Sequence, residues 1–480
     1  MARQPGRPRP DLVEVVLAEE PVAAGAPVAD QAAAGTVAPT RTRSRRRLAG
    51  LAAVLAVVVA VLGFADVVAE RRERAALAAV ADVPGLVRPL PEPLAELWRL
   101  PRRSGITGVP GRVVTVRDDA LVGLDASTGE QRWSLPTPDG YAGCDTVPAA
   151  DGPGTLLCVG VGDGGPPGAG GLVLRPVDAT DGAVGDRMPG PTNLVAGAAV
   201  EQDVVLVGVL DGRLTVARHA LPDGTERWRA PMGDLGLSRG LGLLDVHGDS
   251  AVVAVEGATS VVLDARDGRE VGRWVGDTTG AGAAVTRVRV VSHPGTGFGV
   301  WPSPASGRWY RPDGTPGAAL DGEPVDVDVD DGSAPGVVLL RSSDGDRLRG
   351  VDVATGRVRW ERAEPSQVLM RMGGRVVVVG DDGAIAAWDL QTGEPHWSTP
   401  LGDAGEPLLT DPFTDGVRIA VPVRSGDDAL QLATIRLADG RRLWTSPLPP
   451  GSHTVAVLGD RIVVVGPLDG DRIESVAVLG

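Results

Sequence analysis

The sequence predicts an all-β fold, a closed β-propeller of four-stranded blades, preceded by one transmembrane helix. Three observations lead there. A phrase recurs along the chain: an apolar strand, an acidic turn with Gly, then Trp. It is clearest in LVGLDASTGEQRW (121–133), RLRGVDVATGRVRW (347–360) and AIAAWDLQTGEPHW (384–397), with weaker copies ending at Trp228, Trp274 and Trp444. The period is about 40 residues, with four short strands in each, the signature of propeller blades. Composition agrees: 67 Gly and 40 Pro punctuate the chain, and only 3% of residues are aromatic, ten of them Trp. Many short strands joined by tight turns need that mixture.

Each part of the phrase has a physical reason. The β-branched run suits a strand buried on both faces. Asp125, Asp352 and Asp389 can accept backbone N–H bonds within the turn, and Gly129, Gly356 and Gly393 supply the φ > 0 that the reversal demands. Trp133, Trp228, Trp274, Trp360, Trp397 and Trp444 then lie on the following strand, where a flat ring can cover the side of a neighbouring blade. A single blade cannot bury both of its faces, so such contacts hold the ring together.

The chain begins with an aperiodic stretch rich in Ala, Pro and Arg (1–47), expected to be a disordered basic cytoplasmic tail ending in RTRSRRR. The uncharged run LAGLAAVLAVVVAVLGFA (48–65) follows, and a transmembrane helix is expected over 48–68. Eighteen helical residues span about 27 Å against a hydrocarbon core of about 30 Å. The basic cluster precedes the span, which places the tail in the cytoplasm and the propeller outside as a single-pass, extracytoplasmic domain. A long signal peptide is the alternative, with Gly63 and Ala65 permitting cleavage. Residues 69–93 are expected to form a short charged juxtamembrane helix and a semi-rigid Pro-rich linker, and 94–480 the propeller.

Acidic-Gly turns at Gly129, Gly182, Gly224, Gly268, Gly314, Gly356, Gly393 and Gly440 give eight units. Beyond them lie three strands with no Trp strand after them. Residues 94–101, carrying Trp98, are expected to complete that last blade, so that both termini fasten one sheet and spare it an exposed edge. Literal counting then gives nine units. Two are irregular: the one around Asp181 lacks its Trp, and the one around Asp313 carries Trp301 and Trp309 elsewhere. Eight blades are expected, with seven and nine the alternatives.

Composition also excludes some chemistry. The 47 basic residues are all Arg, so Schiff-base or lysine-nucleophile catalysis is impossible. A net charge of −15 argues against nucleic acid as a partner. Cys144 and Cys158 flank a turn centred at Asp151, which sets them opposite one another for a structural disulfide if the strand register is right; two reduced core thiols are the alternative. In EPVDVDVDDG, Asp326, Asp328 and Asp330 share one face at period two. One unit earlier, Arg287 and Arg289 share a face, so an Arg–Asp ladder or a solvated stripe is favoured over a calcium site. The DGD sequences at 344–346 and 469–471 read as hairpin turns. His219, His247, His293, His396 and His453 have no metal-ligand spacing, and no nucleotide or hydrolase fingerprint precedes a helix. The rim loops 137–143, 160–171 and 277–282 are the places where variable binding residues are expected.

The D-x-x-T-G-x-x-x-W phrase resembles the repeat of the PQQ-like, or quinoprotein-dehydrogenase-like, β-propellers, over about residues 94–480. That resemblance implies two functional classes. Enzyme members hold pyrroloquinoline quinone with Ca²⁺ over the channel, using a Trp floor, a disulfide of adjacent cysteines, a carboxylate/Asn calcium site and a catalytic Asp. This chain has no adjacent Cys pair, and its one Asn, Asn193, has no acidic neighbour in sequence. Trp388 is expected in the core, with a channel lining as the alternative. The expectation is therefore a membrane-anchored, non-catalytic binding or scaffold module for an envelope protein partner or ligand, with no cofactor and no catalytic or metal-ligating residues. The alternative is a PQQ-dependent alcohol or sugar oxidoreductase with degenerate ligands.

Overall fold

The computed structural model describes residues between 83 and 480, apart from short stretches of which the longest are 162–171, 233–242 and 276–287. The expected tail, transmembrane helix and juxtamembrane helix lie outside the described residues. All described residues belong to one compact unit, Ala69–Gly480. Among them there are strands and no α-helix, and no helix long and apolar enough to cross a membrane.

Four-stranded antiparallel sheets follow one another along the chain. Blade 1 runs from Ile106–Val109 to Gln131–Pro136, blade 2 from Tyr141–Val147 to Met188–Pro189, and blade 3 from Asn193–Val200 to Glu226–Pro231. Blade 4 runs from Leu243–Asp245 to Glu270–Val275, blade 5 from Arg289–His293 to Pro316–Asp321, and blade 6 from Glu323–Pro324 to Val358–Ala363. Blade 7 spans Gln367–Met372 to Pro395–Thr399, and blade 8 spans Glu406–Pro407 to Arg442–Pro447. These eight contiguous blades are the eight Gly turns of the sequence. One further sheet combines Thr454–Leu458, Arg461–Val465 and Ser475–Leu479 with Glu96–Pro101 as its outer strand. Counting this composite blade 9, the described residues contain nine blade sheets, the upper of the numbers that the turn count allowed.

The central strands are buried on both sides, as their apolar runs require: Val376, Val377, Val378 and Val379 are each at most 1% exposed. An apolar cluster spans every seam from blade 1 to blade 9. The last seam returns to blade 1 through Leu100, Val113, Val122, Trp98 and Leu458, so the ring is closed. Each sheet buries on its neighbours what it cannot bury alone.

The recurring phrase is the device at the seams. Asp125 Oδ1 accepts the amides of Ser127 (2.9 Å) and Thr128 (3.2 Å), Asp352 Oδ1 accepts that of Thr355 (2.9 Å), and Asp389 Oδ1 accepts those of Gln391 and Thr392 (both 2.8 Å). Gly129, Gly356 and Gly393 have φ of 71°, 70° and 70°. The Gly has a second task. The Trp of one blade lies flat against the Gly of the next: Trp98 on Gly129, Trp133 on Gly182, Trp228 on Gly268, Trp360 on Gly393 and Trp397 on Gly440. The indole N–H of each donates to a carbonyl of that same turn, at Ala126, Ala179, Ala265, Leu390 and Leu437, over 2.8–3.0 Å. A Cβ on any of these glycines would stand within 3.0 Å of the ring.

Three seams use other groups. Met188 replaces the missing Trp of blade 2 and packs on Gly224. Val271 meets Gly314, while Trp274 donates to the Tyr310 hydroxyl at 2.9 Å and packs edge-on to Phe298 and Tyr310. At the next seam, Gly356 faces the backbone of Ala319. Trp301 and Trp309 lie on strands of blade 5 and join the apolar cluster it shares with Val338, Leu340 and Val351 of blade 6, and Trp301 donates to Gly322 O at 2.9 Å.

The expected Pro-rich linker has a more definite place. Val87, Leu90 and Leu94 are buried among residues of blades 8 and 9, so the ring's own packing starts before Leu94.

Candidate functional site: a charged ladder and a polar cleft on the inner strands

The first strands of neighbouring blades approach one another, as in blades 1 and 2 or 3 and 4. They therefore line the inside of the ring, with the Trp strands outside. The acidic stretch of blade 6 departs from this pattern. Its first strand is only Glu323–Pro324. After Val325 N donates to Leu339 O (3.0 Å), the chain leaves its own sheet and pairs in parallel with blade 7, through Asp330 and Arg371. Arg371 N donates to Val329 O (2.9 Å), and Asp331 N to Arg371 O (3.2 Å).

This crossing brings the carboxylates against the inner strand of blade 5, whose residues 289 and 293 share a face. Arg289 pairs with Asp326 and, at 3.3 Å, with Glu323, and donates to Pro324 O at 3.2 Å. The Arg–Asp ladder therefore forms through Arg289; Arg287 lies outside the described residues. At the deeper end, Arg371 is 3% exposed. Its Nη1 lies 3.1 Å from both Asp330 Oδ2 and His293 Nε2, and its Nη2 donates to Ala334 O (3.0 Å) and Val337 O (2.9 Å). With Nε2 accepting, the neutral His293 carries its proton on Nδ1, which faces Asp330 Oδ2 at 3.7 Å. Burial pulls the Arg371 guanidinium below its ordinary value, and the charges of Asp330 and Asp331 push it back up. A buried cation held by a carboxylate and two carbonyls is a structural node joining blades 5, 6 and 7.

On the other side of the acidic stretch lies a cleft of about 270 Å³, lined by Val325, Asp326, Val327, Asp328, Arg341, Ser366, Gln367, Val368 and Leu369. Asp326 and Asp328 are exposed. Arg341 is held by Glu364 at 2.7 Å. Such a lining suits recognition of charged or hydrogen-bonding groups, chiefly basic ones beside the carboxylates.

The residues named from the sequence fall in different places. Asp125, Gly129, Trp133, Trp228, Asp352, Trp360, Asp389, Gly393, Trp397 and Trp98 belong to the seams, as do Trp274, Gly356 and Trp444 in altered settings. Cys144 and Cys158 are bonded to each other as cross-strand partners of the first two strands of blade 2. Trp388 sits on the third strand of blade 7, with its ring edge-on to Trp360 at 6.4 Å, which makes it a seam residue. The turn at 344–346 is a hairpin closed by Ser342 N to Arg347 O (2.8 Å). Residues 137–140, 162–171 and 277–282 of the rim loops lie outside the described residues, as do His247 and the 470–471 turn. His293 and Arg371 as partners were missed. The available signals were a lone Arg in the apolar strand QVLMRM and a His two steps of period two beyond Arg289.

The cysteines are spent in a cross-strand pair, the Trp388 ring is used at a seam, and no group of three or more His, Cys, Asp or Glu among the described residues is placed to hold a metal ion.

Residues 344–476 match a family model described as "Outer membrane protein assembly factor BamB". No curated protein matches the chain. Among solved structures, BamB from Moraxella catarrhalis is 16% identical with a TM-score of 0.43, over 80% of this chain and 99% of that one. Quinohemoprotein alcohol dehydrogenase ADHIIG from Pseudomonas putida HK5 is 14% identical with a TM-score of 0.41, over 80% and 76%. The quinohemoprotein alcohol dehydrogenase of Comamonas testosteroni is 13% identical with a TM-score of 0.39, over 84% and 77%. Within residues 344–476 the repeat, with its Asp turn, its Gly platform and the Trp laid across it, is similar to the repeat of that family model.

Proposed function

We propose that the chain is a non-catalytic binding or scaffold module, anchored in a membrane by residues 48–68 and displaying its propeller to an extracytoplasmic protein partner. The observation that carries this reading is the inner-strand cleft, in which Asp328 and the Arg289-paired Asp326 are exposed beside fixed polar groups, while Asp330 and Arg371 are committed to a structural pair. Such a surface recognises; it holds no activated nucleophile with its base. The family match over 344–476 supports a role in holding other proteins. The Cys144–Cys158 bond supports an oxidising compartment, and the uncharged run after RTRSRRR supports the anchor.

Site-specific photocrosslinking tests it. A photoreactive residue in place of Val327 in the cleft should give a discrete adduct in producing cells. The same residue in place of Val358, exposed on an outer strand, should give none. No adduct from 327, or equal labelling from both positions, contradicts a partner site in the cleft.

A further inference from the structure

The seam between blades 8 and 9 is built unlike the others. In a contiguous blade, the turn between the third and fourth strands supplies the Gly on which the preceding blade's side chain rests. In blade 9 the third strand is Ser475–Leu479 and the fourth is Glu96–Pro101, which are far apart in sequence, so no hairpin turn connects them. Trp444 of blade 8 therefore has no Gly platform. Leu86, Val87, Leu90 and Leu94 take its place. Val87, Leu90 and Leu94 pack with Trp444, Phe413, Leu430 and Leu448 in one buried cluster.

The contact is also written in hydrogen bonds. Leu86 forms a parallel bridge with Thr414, and Val87 N donates to Thr414 O at 2.9 Å. Leu90 N donates to Asp415 Oδ2 at 2.9 Å, Arg418 Nη1 donates to Leu90 O at 3.3 Å, and the Ser446 hydroxyl donates to Leu94 O at 3.3 Å. The Asp415 side chain has no exposed surface, and it is fixed independently by the amides of Val417 and Arg418 and by the Arg418 guanidinium. The groove thus brings its own rigid acceptor, donor and aromatic wall. Pro84, Pro89, Pro91 and Pro93 fall in this part of the sequence, and a Pro-rich composition lowers the entropy lost on docking.

We propose that this seam is a peptide-recognition groove occupied in cis, selecting an extended, Pro-stiffened segment with aliphatic residues three apart (Val87 and Leu90) whose second amide reaches Asp415. Residues 83–94 are its resident occupant, and a free peptide of the same pattern competes for the place.

The test uses the full chain and its Leu90→Asp variant, with a fluorescent synthetic peptide of residues 82–95 as probe and anisotropy as readout. The variant should bind the peptide saturably. The parent should bind at least about tenfold more weakly, because its tethered occupant competes at about millimolar effective concentration. A peptide carrying the same Leu90→Asp change should bind neither. A variant that retains the parent's tryptophan emission but does not bind, or a parent that binds equally well, overturns the proposal. If Leu90→Asp does not fold, Leu90→Ala serves: the added peptide must raise its thermal midpoint, and an unchanged midpoint overturns the proposal.

Discussion

Gly393→Ala is the sharpest probe of how the ring is held. A Cβ at 393 would stand 2.6 Å from Cγ of Trp360 and 2.7 Å from its Cβ and Cδ2, on a backbone with φ of 70°. The left-handed conformation costs an L-residue about 1–2 kcal/mol, and crowding a packed ring adds about 1–3 kcal/mol. Gly345 is the matched control, with φ of 76° and no atom within 4 Å of the added carbon. Gly345→Ala should therefore cost only the conformational part, about 1–2 kcal/mol. Urea unfolding of the purified propeller gives both values. Trp360→Ala, which on its own should cost about 3–5 kcal/mol, completes a cycle. Once the ring is gone the added methyl meets nothing, so the double variant should be less damaged than the two singles imply, by about 1–3 kcal/mol. Equal costs at 393 and 345, together with additivity, would show that the Gly serves the turn alone and refute the seam argument.

Two further outcomes follow from the turn carboxylates and the disulfide. The hydrogen bond from Arg359 holds the Asp352 carboxyl below its ordinary range, helped by Thr355 and opposed by burial. Burial pushes Asp389 up, but the amides of Thr392 and Gln391 outweigh it and the net direction is down. A carboxylate lowered by folding contributes stability that is complete above its unfolded value, near about 3.9. That contribution is lost as pH falls through the folded value. The urea midpoint should stay level from neutrality to about pH 5 and fall below about pH 4, and Asp352→Asn should blunt that fall; an unchanged acid limb in this variant contradicts the assignment. Replacing Cys144 and Cys158 together by Ala should cost about 3 kcal/mol for a loop of this length, seen as a lower urea midpoint than that of the oxidised parent. A midpoint unaffected by the replacement would show that blade 2 does not rely on the bond.

Much of the fold is legible because its instructions are local. A β-branched run, an Asx-type turn and a Trp at fixed spacing specify strand, reversal and seam within about fifteen residues. The composite blade is legible for a related reason: a strand set lacking its Trp strand at one end and a Trp strand without a set at the other complete each other. What the sequence hides are contacts made by residues of unexpected type or from distant positions. Met188 and Val271 occupy places where other blades put Trp, and nothing in their neighbourhood announces it. The acidic stretch shows its period but not its departure to blade 7, because a parallel bridge between 330 and 371 has no sequence signature. His293 and Arg371 meet 78 positions apart. The Pro-rich stretch reads as a spacer by composition, while its three aliphatic residues take their meaning only from the gap left where the chain's last strand meets its first outer strand.

The measurement that bears most directly on the functional account is a titration of the purified propeller with pyrroloquinoline quinone, with and without Ca²⁺, following tryptophan quenching and alcohol or sugar oxidation with an artificial electron acceptor. A binding or scaffold module predicts no saturable, calcium-dependent quenching and no turnover. Saturable binding that requires Ca²⁺ and is accompanied by turnover would contradict it and make the inside of the ring a catalytic site.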